Sequence, residues 1–463
     1  MAQKENTAGN GAPPAKVRIR SYRHGLGDCH LLRFTKSDGS FCHVLIDCGV
    51  IEKAPKRAAI MQKVANDIAT ETGGVLDMLV VTHRHTDHLC GFEDARDVFK
   101  NKVAIKELWL GWTEDPANEF ATSIHRKVER RLAAVRAATS KLEPADKETA
   151  SAVSGCLEFF GGGKGEFPST AGVLAALKNP QETRIGYYSP GSWYFLPDVP
   201  NVRVYILGPR WDPTPQIAYG LNGFVDALHP DGSSTNPELS YPFEKWHRRD
   251  FETMKQSKFF KENYFDSEND WRRVDTEWLG CAWNLITELN DFTNNTSLAL
   301  AFEFVDSKQV LLFPGDAQSW AWTSWGNLSW NVWDSNGQTS QVRANDLISR
   351  VVFYKASHHA SYQGALTGNW GWGLDNMTDV NLCCVVPVDR AMTKEIKLER
   401  ALPSKLMIDS INERTRGRTV LTDRGTPPPK PEELKLLSAR EQQTFAGQIT
   451  VTDDYIDYTL LDF

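Results

Sequence analysis

The stretch LDMLVVTHRHTDHLCGF, residues 76–92, limits what this chain can fold into more than any other. Its apolar half is a continuous run of strand length, the pattern of a strand buried on both faces, and is too short to be a membrane helix. The run ends in a crowd of metal-ligand side chains, His83, His85, Asp87 and His88. Imidazole and carboxylate oxygen are ligands that zinc, manganese and iron accept. In an extended loop, residues two apart point to the same side, so His83 and His85 can converge on one ion. Asp87 and His88, adjacent at an expected helix start, can turn toward a second.

A buried strand needs neighbours, and the rest of the sequence supplies them. VRIRSYRHG, CHLLRF and FCHVLIDCG alternate in strand fashion, with a turn at SDGS. A helix is expected next, with Ile60, Val64 and Ile68 on one face and Gly-Gly at its end. Further on come SLALAFEFV, QVLLFPGDA, VVFYKASHHAS and NLCCVVPVD, each an apolar strand ending in polar residues. Open α/β sheets carry their chemistry at the carboxyl ends of strands. LLFPGDA places Asp316 there, where an uncompensated carboxylate would be costly without a cation. VVFYKASHHAS places His358 and His359 in the same position, with Lys355 beside them. The class expected is therefore α/β with a metal centre at the strand ends. Residues 1–16 are expected to be a flexible tail and 17–463 one domain. A mainly helical insertion is expected over about 95–180, and an irregular Trp-rich one over about 212–290.

Composition narrows the function. A net charge of −7 gives no global attraction to nucleic acid, so any phosphate must be met by a local cluster or a metal. HRKVERRLAAVR puts Lys127 and Arg131 one helical turn apart, and RTRGR gathers Arg414, Arg416 and Arg418 into a basic turn suited to phosphates. Fifteen tryptophans are an excess, of which an exposed subset can stack bases or another ligand. Eight cysteines without a CxxC pair point to buried free thiols in a reducing compartment. With no long apolar run and no signal core, a cytoplasmic location is expected, with no membrane partner.

HRHTDH, followed by a late Gly-Asp and a later histidine, resembles the metallo-β-lactamase superfamily. GLGDCHLLRF, VLIDCG, NNTSLAL, LLFPGDA, KASHHAS and LPSKL with VLTDRG are similar, in that order, to the nuclease-like domain of ComEC-type competence proteins and their stand-alone relatives. These motifs cover roughly residues 17–92 and 293–426. The resemblance implies a four-layer αβ/βα sandwich with two divalent ions, zinc or manganese, between the sheets. It implies that His83 and His85 hold the first ion and Asp87 and His88 the second. Asp316 would bridge them and His359 complete the second site. His358 would be a proton donor or an outer partner, Asp47 would orient the loop histidines, and Asp28 takes a family position near the site. Where most of the superfamily has a further histidine, this chain has Asn294, Asn295 and Ser297, leaving the first ion one ligand short. Leu402-Pro403 stands where the family has Asn-x-x-His-Pro.

The activity implied is hydrolysis by a hydroxide held between the ions, with Asp87 steering it and Lys355 facing a phosphate oxygen. A nuclease is expected, with DNA the favoured substrate and a regulatory protein as a further partner through the insertions. The alternatives are a hydrolase of a small molecule (a lactone, thioester or cyclic nucleotide) and a partner-binding module with a structural metal.

Overall fold

A computed structural model describes residues 15–142, 147–161, 169–178, 183–212, 251–266, 268–269, 281–333, 338–367, 373–395, 402–423 and 426–461. The expected tail falls outside these residues except at its end, and so does most of the irregular insertion.

The alternating segments at the start pair as expected. Strands β1 (Ala15–Tyr22), β2 (His30–Thr35) and β3 (Phe41–Ile46) form an antiparallel meander. A short ribbon joins β4 (Val75–Leu76) to β6 (Ala104–Ile105). The buried run contributes β5 (Met78–Val80), parallel to β3 and to β7 (Glu107–Gly111), which in turn pairs with β8 (Arg184–Tyr188).

The second sheet takes β9 (Trp193–Leu196), β10 (Val199–Ile206), β11 (Leu300–Phe304) and β12 (Val310–Phe313) as antiparallel neighbours. A hairpin, β13 (Ser329–Trp333) and β14 (Thr339–Arg343), stands apart. Parallel strands β15 (Val351–Lys355), β16 (Cys383–Val386) and β17 (Thr419–Leu421) complete the second sheet on the far side of β12. The chain then returns to the first sheet as β18 (Ile449–Val451) and β19 (Tyr455–Leu461), the latter pairing with β1. The strand orders are β18-β19-β1-β2-β3-β5-β7-β8 and β17-β16-β15-β12-β11-β10-β9. The protein is thus α/β with mixed sheets.

The period-2 alternation of the strands explains the core. Val17, Ile19, Phe34, Val44 and Val80 from the first sheet share one apolar cluster with Val204, Phe302, Phe313 and Phe353 from the second. Phe34 and Phe302 lie 5.8 Å apart and Phe353 and Tyr458 5.2 Å. The alternate residues, Leu31, Leu45 and Leu79 on one sheet and Leu312, Tyr354 and Cys384 on the other, pack into a second cluster with helical residues. Helix α1 (Arg57–Glu71) buries Met61, Val64, Ala65 and Ile68 there, the face its spacing predicts.

The 95–180 region is mainly helical, as expected, beginning with a short helix, Arg96–Asn101, but it also contains strands. ELWLG is strand β7, inside the sheet, because its apolar run is buried on both faces. The described parts of the second region are also more regular than expected. Phe251–Gln256, Lys258–Asn263 and Cys281–Asn294 are helices. In the last, Ala282, Leu285, Ile286, Leu289 and Phe292 recur at helical spacing and are buried; its tryptophan and asparagines mask that period. Seven of the cysteines are buried and Cys281 partly so, all as free thiols. No helix among the described residues is long and apolar enough to cross a membrane.

Candidate metal centre

The antiparallel meander and the parallel additions put the carboxyl ends of β3, β5, β12 and β15, together with the β1–β2 turn, at one end of the two sheets. Each of these ends carries a polar residue of the site: Asp47 after β3, His83 after β5, Asp316 after β12, Lys355 closing β15, and Asp28 in the turn. Backbone hydrogen bonds lock the segments together. Asp28 N–H donates to Asp87 O at 2.9 Å, Cys48 N–H to His88 O at 2.9 Å, and Gly49 N–H to Asp28 O at 3.0 Å. GLGDC and LIDCG therefore form a cradle for the first turn of helix α2 (Thr86–Asp94), which presents Asp87 and His88.

That cradle depends on Gly49. A Cβ there would lie 2.5 Å from Asp87 C and His88 N, backbone atoms that cannot move aside. Gly49→Ala is expected to destabilise the protein by about 3 kcal/mol, the upper end of overpacking costs. It should also weaken metal uptake. Urea unfolding and metal titration of the variant check both.

His88 and His359 have matching arrangements. His88 Nδ1 donates to Asp47 Oδ2 at 2.7 Å, and Asp47 also accepts from Thr82 N–H at 2.8 Å and Thr82 Oγ1–H at 2.7 Å. His359 Nδ1 donates to the carbonyl of Pro387 at 2.8 Å. Each ring's other nitrogen is thereby fixed toward carboxylates. His88 Nε2 lies 3.2 Å from Asp316 Oδ2 and 3.7 Å from Asp87 Oδ2. His359 Nε2 lies 2.9 Å from Asp87 Oδ2 and 3.4 Å from Asp316 Oδ2. A nitrogen lone pair facing a carboxylate oxygen is repulsive unless a cation lies between them. Asp28, His88, Asp316 and His359 each offer a ligand atom, all within 4.8 Å of one another, and all four are buried; this group could hold a metal ion.

The buried polar atoms without a hydrogen-bond partner test that fit. Asp28 Oδ1, His85 Nε2, Asp87 Oδ1 and His88 Nε2 are all among them. Buried polar atoms are nearly always partnered, so four unpartnered atoms on residues of metal-ligand type in one site fit a cation there. His83 and His85 converge as their spacing predicts, Nε2 to Nδ1 at 2.9 Å, and the His83 ring lies 4.2 Å from that of His88. The edge of Phe160 packs on His85 at 4.9 Å, so the helical region 147–161 closes over the metal loop. Ser297, at the place expected to lack a histidine, has its Oγ 3.3 Å from His83 Nδ1 and accepts the Asp316 N–H at 3.0 Å.

Protonation follows from this crowding. Burial alone would lower His88, but the carboxylates of Asp316, Asp87, Asp47 and Asp28 hold it well above the ordinary histidine value. His359 is raised against burial by Asp316 and Asp87. Asp316 is held well below the usual carboxylate range, because Lys355, His88 and His359 outweigh burial. Burial pushes His83 well down and His85 down to about 3. Both shifts favour the protonated, cationic imidazole of His88 and of His359 against the surrounding carboxylates. Raised histidines stabilise fully below their unfolded value of about 6.5, and that stability is lost as pH rises through their folded values. The metal-free protein is therefore expected to melt at lower temperature as pH rises above about 6.5. The metal-loaded protein, whose ligands are deprotonated imidazoles, should not. Thermal scans across pH with and without added metal check this.

Other expected residues are placed differently. Lys355 is not free to meet a phosphate: its ammonium donates to Gly315 O at 2.8 Å and Asp316 Oδ1 at 3.0 Å, and pairs with Asp28 Oδ2. Three donors meet three acceptors. His358 turns away from the cluster, its Nδ1 2.8 Å from Ser361 Oγ and its Nε2 3.2 Å from Asn294 Nδ2. Burial pushes it down to about 4, which favours the neutral imidazole over the imidazolium at neutral pH. Asn295 is an internal brace, its Nδ2 donating to Gln318 Oε1 at 3.1 Å. The RTRGR arginines are held by protein groups. Arg414 pairs with Asp375 at 2.9 Å and Arg416 with Glu441 at 2.6 Å, while buried Arg418 donates to Leu382 O at 3.1 Å. Their tight spacing predicts a basic turn, but distant carboxylates pair with Arg414 and Arg416, and backbone carbonyls hold Arg418. Arg131 is buried while Lys127 is exposed, so these two do not form a solvent-facing pair. Sequence reasoning assigns Asp28 no role, although it belongs to the cluster, and misses the Thr82 hydroxyl and the Phe160 cover. Of these, Asp28 alone carries a local signal, its place after Gly-Leu-Gly.

No protein-family model matches this chain, and a search of curated proteins finds no match. What fold and site define is an α/β protein with a buried Asp/His cluster that could hold a metal ion.

Proposed function

We propose that this chain is a metal-dependent hydrolase of the metallo-β-lactamase superfamily, most similar to ComEC-type nuclease-like domains, and that it cleaves phosphodiesters. The observation that carries the reading is the pair of imidazoles, His88 and His359, aimed nitrogen-first at the carboxylates of Asp87 and Asp316. Two sheets with helices against their outer faces and the site at their shared end support the αβ/βα reading. His83, His85, Asp87, His88, Asp316 and His359 would hold two divalent ions, zinc or manganese, with Asp28 beside them. When bound, such ions polarise a phosphoryl oxygen and lower the pKa of water.

The chain's own residues supply the positioning. Asp47 fixes the tautomer and angle of His88, and the Pro387 carbonyl does the same for His359. Lys355 holds Asp28 and Asp316 in place. Asp87 accepts from His359 at 2.9 Å through one oxygen, and its second oxygen, which has no protein partner, would face the ions and orient the water they activate.

The test is incubation of the purified protein with linear, circular and single-stranded DNA and with RNA, each in Mn²⁺, Zn²⁺ and Mg²⁺. Cleavage that is lost in Asp87→Ala supports the reading. A second reading, hydrolysis of a small molecule such as a lactone or cyclic nucleotide, draws on the burial of the site, where His85, Asp87 and Asp316 are each 1% exposed. Turnover of a chromogenic lactone with every nucleic acid left intact would establish that reading in place of the first.

A further inference from the structure

We infer that the aromatic wall beside the metal loop, formed by Phe120, Trp112, Trp211 and the Arg210–Trp320 pair, binds an unpaired nucleobase and its flanking phosphate, and so selects single-stranded nucleic acid. This rests on the phosphodiester reading and specifies the form of its substrate.

The wall is seated on the site by several contacts. Arg84, between His83 and His85, donates to Glu114 at 2.6 Å, which ties the metal loop to the turn Trp112–Glu114 after β7. Trp112 Nε1 donates to Pro209 O at 3.1 Å, which ties that turn to the segment after β10. Gly208 in turn lies against Ser297, where an added Cβ would be 3.0 Å from the Ser297 carbonyl, and Ser297 touches His83. Trp320 opens the helix Ser319–Trp325, which follows Asp316 directly. The wall therefore stands at the same strand ends as the metal cluster.

Its surface chemistry suits a base and a phosphate together. The buried Trp112 ring is nearly parallel to Phe120, at 8° and 6.1 Å, and to Trp211, at 27° and 5.9 Å. Its two partners remain open to solvent, Trp211 at 61% and Phe120 at 43%. Aromatic faces held parallel and left uncovered are stacking platforms, usable by any base whose own faces are free. A duplex hides those faces and a single strand shows them. Beside the platform, the Arg210 guanidinium lies over the Trp320 ring, 4.2 Å from its centroid. Its Nε is buried without a hydrogen-bond partner, and among the described residues no carboxylate pairs with it. Arg84, Arg203, Arg350, Arg390, Arg414 and Arg416 are each paired with an acid. In a chain of net charge −7, an arginine held over an aromatic ring without a carboxylate partner among the described residues, at the same strand ends as the Asp/His cluster, is a place for an anion. A planar ring and an anion side by side describe a nucleotide better than they describe a protein surface.

The test is fluorescence anisotropy with the full chain, using a labelled, cleavage-resistant phosphorothioate oligothymidylate and a duplex of the same length. Wild type is expected to prefer the single strand. Trp211→Ala should weaken its binding roughly tenfold, with most of the affinity restored in Trp211→Tyr. Arg210→Ala should lower the slope of log affinity against log salt by about 0.7. Trp333→Ala, an exposed tryptophan on the β13–β14 hairpin, should change neither. Equal binding of single strand and duplex, or unchanged binding in Trp211→Ala and Arg210→Ala, would overturn the inference. If the same preparation still cleaves nucleic acid, only the wall has failed. If it neither binds nor cleaves, the phosphodiester reading has failed with it. A Trp211→Ala variant that changes oligomeric state by light scattering while binding DNA normally would make the wall a protein interface and also overturn the inference.

Discussion

Asp316→Ala is expected to abolish the proposed hydrolysis, with a fall of roughly a thousandfold or more, and to prevent metal binding at the cluster. Asp316 connects every part of the cluster. One carboxylate oxygen lies 3.2 Å from His88 Nε2 and 3.4 Å from His359 Nε2. The other takes a hydrogen bond from Lys355 at 3.0 Å, and its own N–H donates to Ser297 Oγ at 3.0 Å. Metal ions in such sites supply several kcal/mol of charge stabilisation, and each 1.4 kcal/mol is about a factor of ten in rate. Asp316→Asn separates ligation from packing, because the amide keeps the shape while replacing one acceptor oxygen by a donor. It should fold like wild type by circular dichroism and still lose metal and activity. Retained metal and turnover in both variants would remove Asp316 from the centre.

Lys355→Met is expected to destabilise the metal-free protein by about 3–5 kcal/mol, the cost of breaking a buried ion pair from one side. Lys355 is 1% exposed and shared by Asp28 and Asp316, which are equally buried. Burial alone would lower its pKa, yet the two carboxylates raise it. Without the ammonium, two carboxylates face each other in the interior. Added Zn²⁺ or Mn²⁺ should restore much of the lost stability, because a divalent cation satisfies the same oxygens. Urea unfolding with and without metal reads this directly. A lysine that served only to meet substrate would behave otherwise: stability would not move, and the effect would fall on KM and kcat.

How legible the site is in the sequence depends on how local its causes are. HRHTDH announces itself because four ligand-type residues crowd the end of one buried strand, a placement that packing alone seldom produces. Asp316 and His359 are legible for the same reason, each following an apolar strand. Residues whose role depends on a distant partner are not. Lys355 reads as a phosphate contact because nothing local shows that Asp28 and Gly315 occupy its hydrogens. Arg414, Arg416 and Arg418 read as a basic turn, since Asp375, Glu441 and the Leu382 carbonyl come from remote segments. His358 and His359 are adjacent and alike in sequence. Both have left-handed backbones, φ 46° and 51°, and this tight turn sends one ring to the cluster and the other away. The fold is similarly legible where the period is clean, as in β1 to β3 and α1. It is obscured where polar or aromatic residues cover the period, as in Cys281–Asn294, and where a short strand, β7, is embedded among helices.

Elemental analysis tests most directly whether the buried Asp/His cluster is the metal centre proposed. The purified protein is loaded with Zn²⁺ or Mn²⁺, freed of unbound ions by gel filtration, and measured against protein concentration. The expectation is about two ions per folded chain in wild type, with a marked loss in Asp316→Ala. A folded wild-type protein that retains no ion under any loading condition would contradict it.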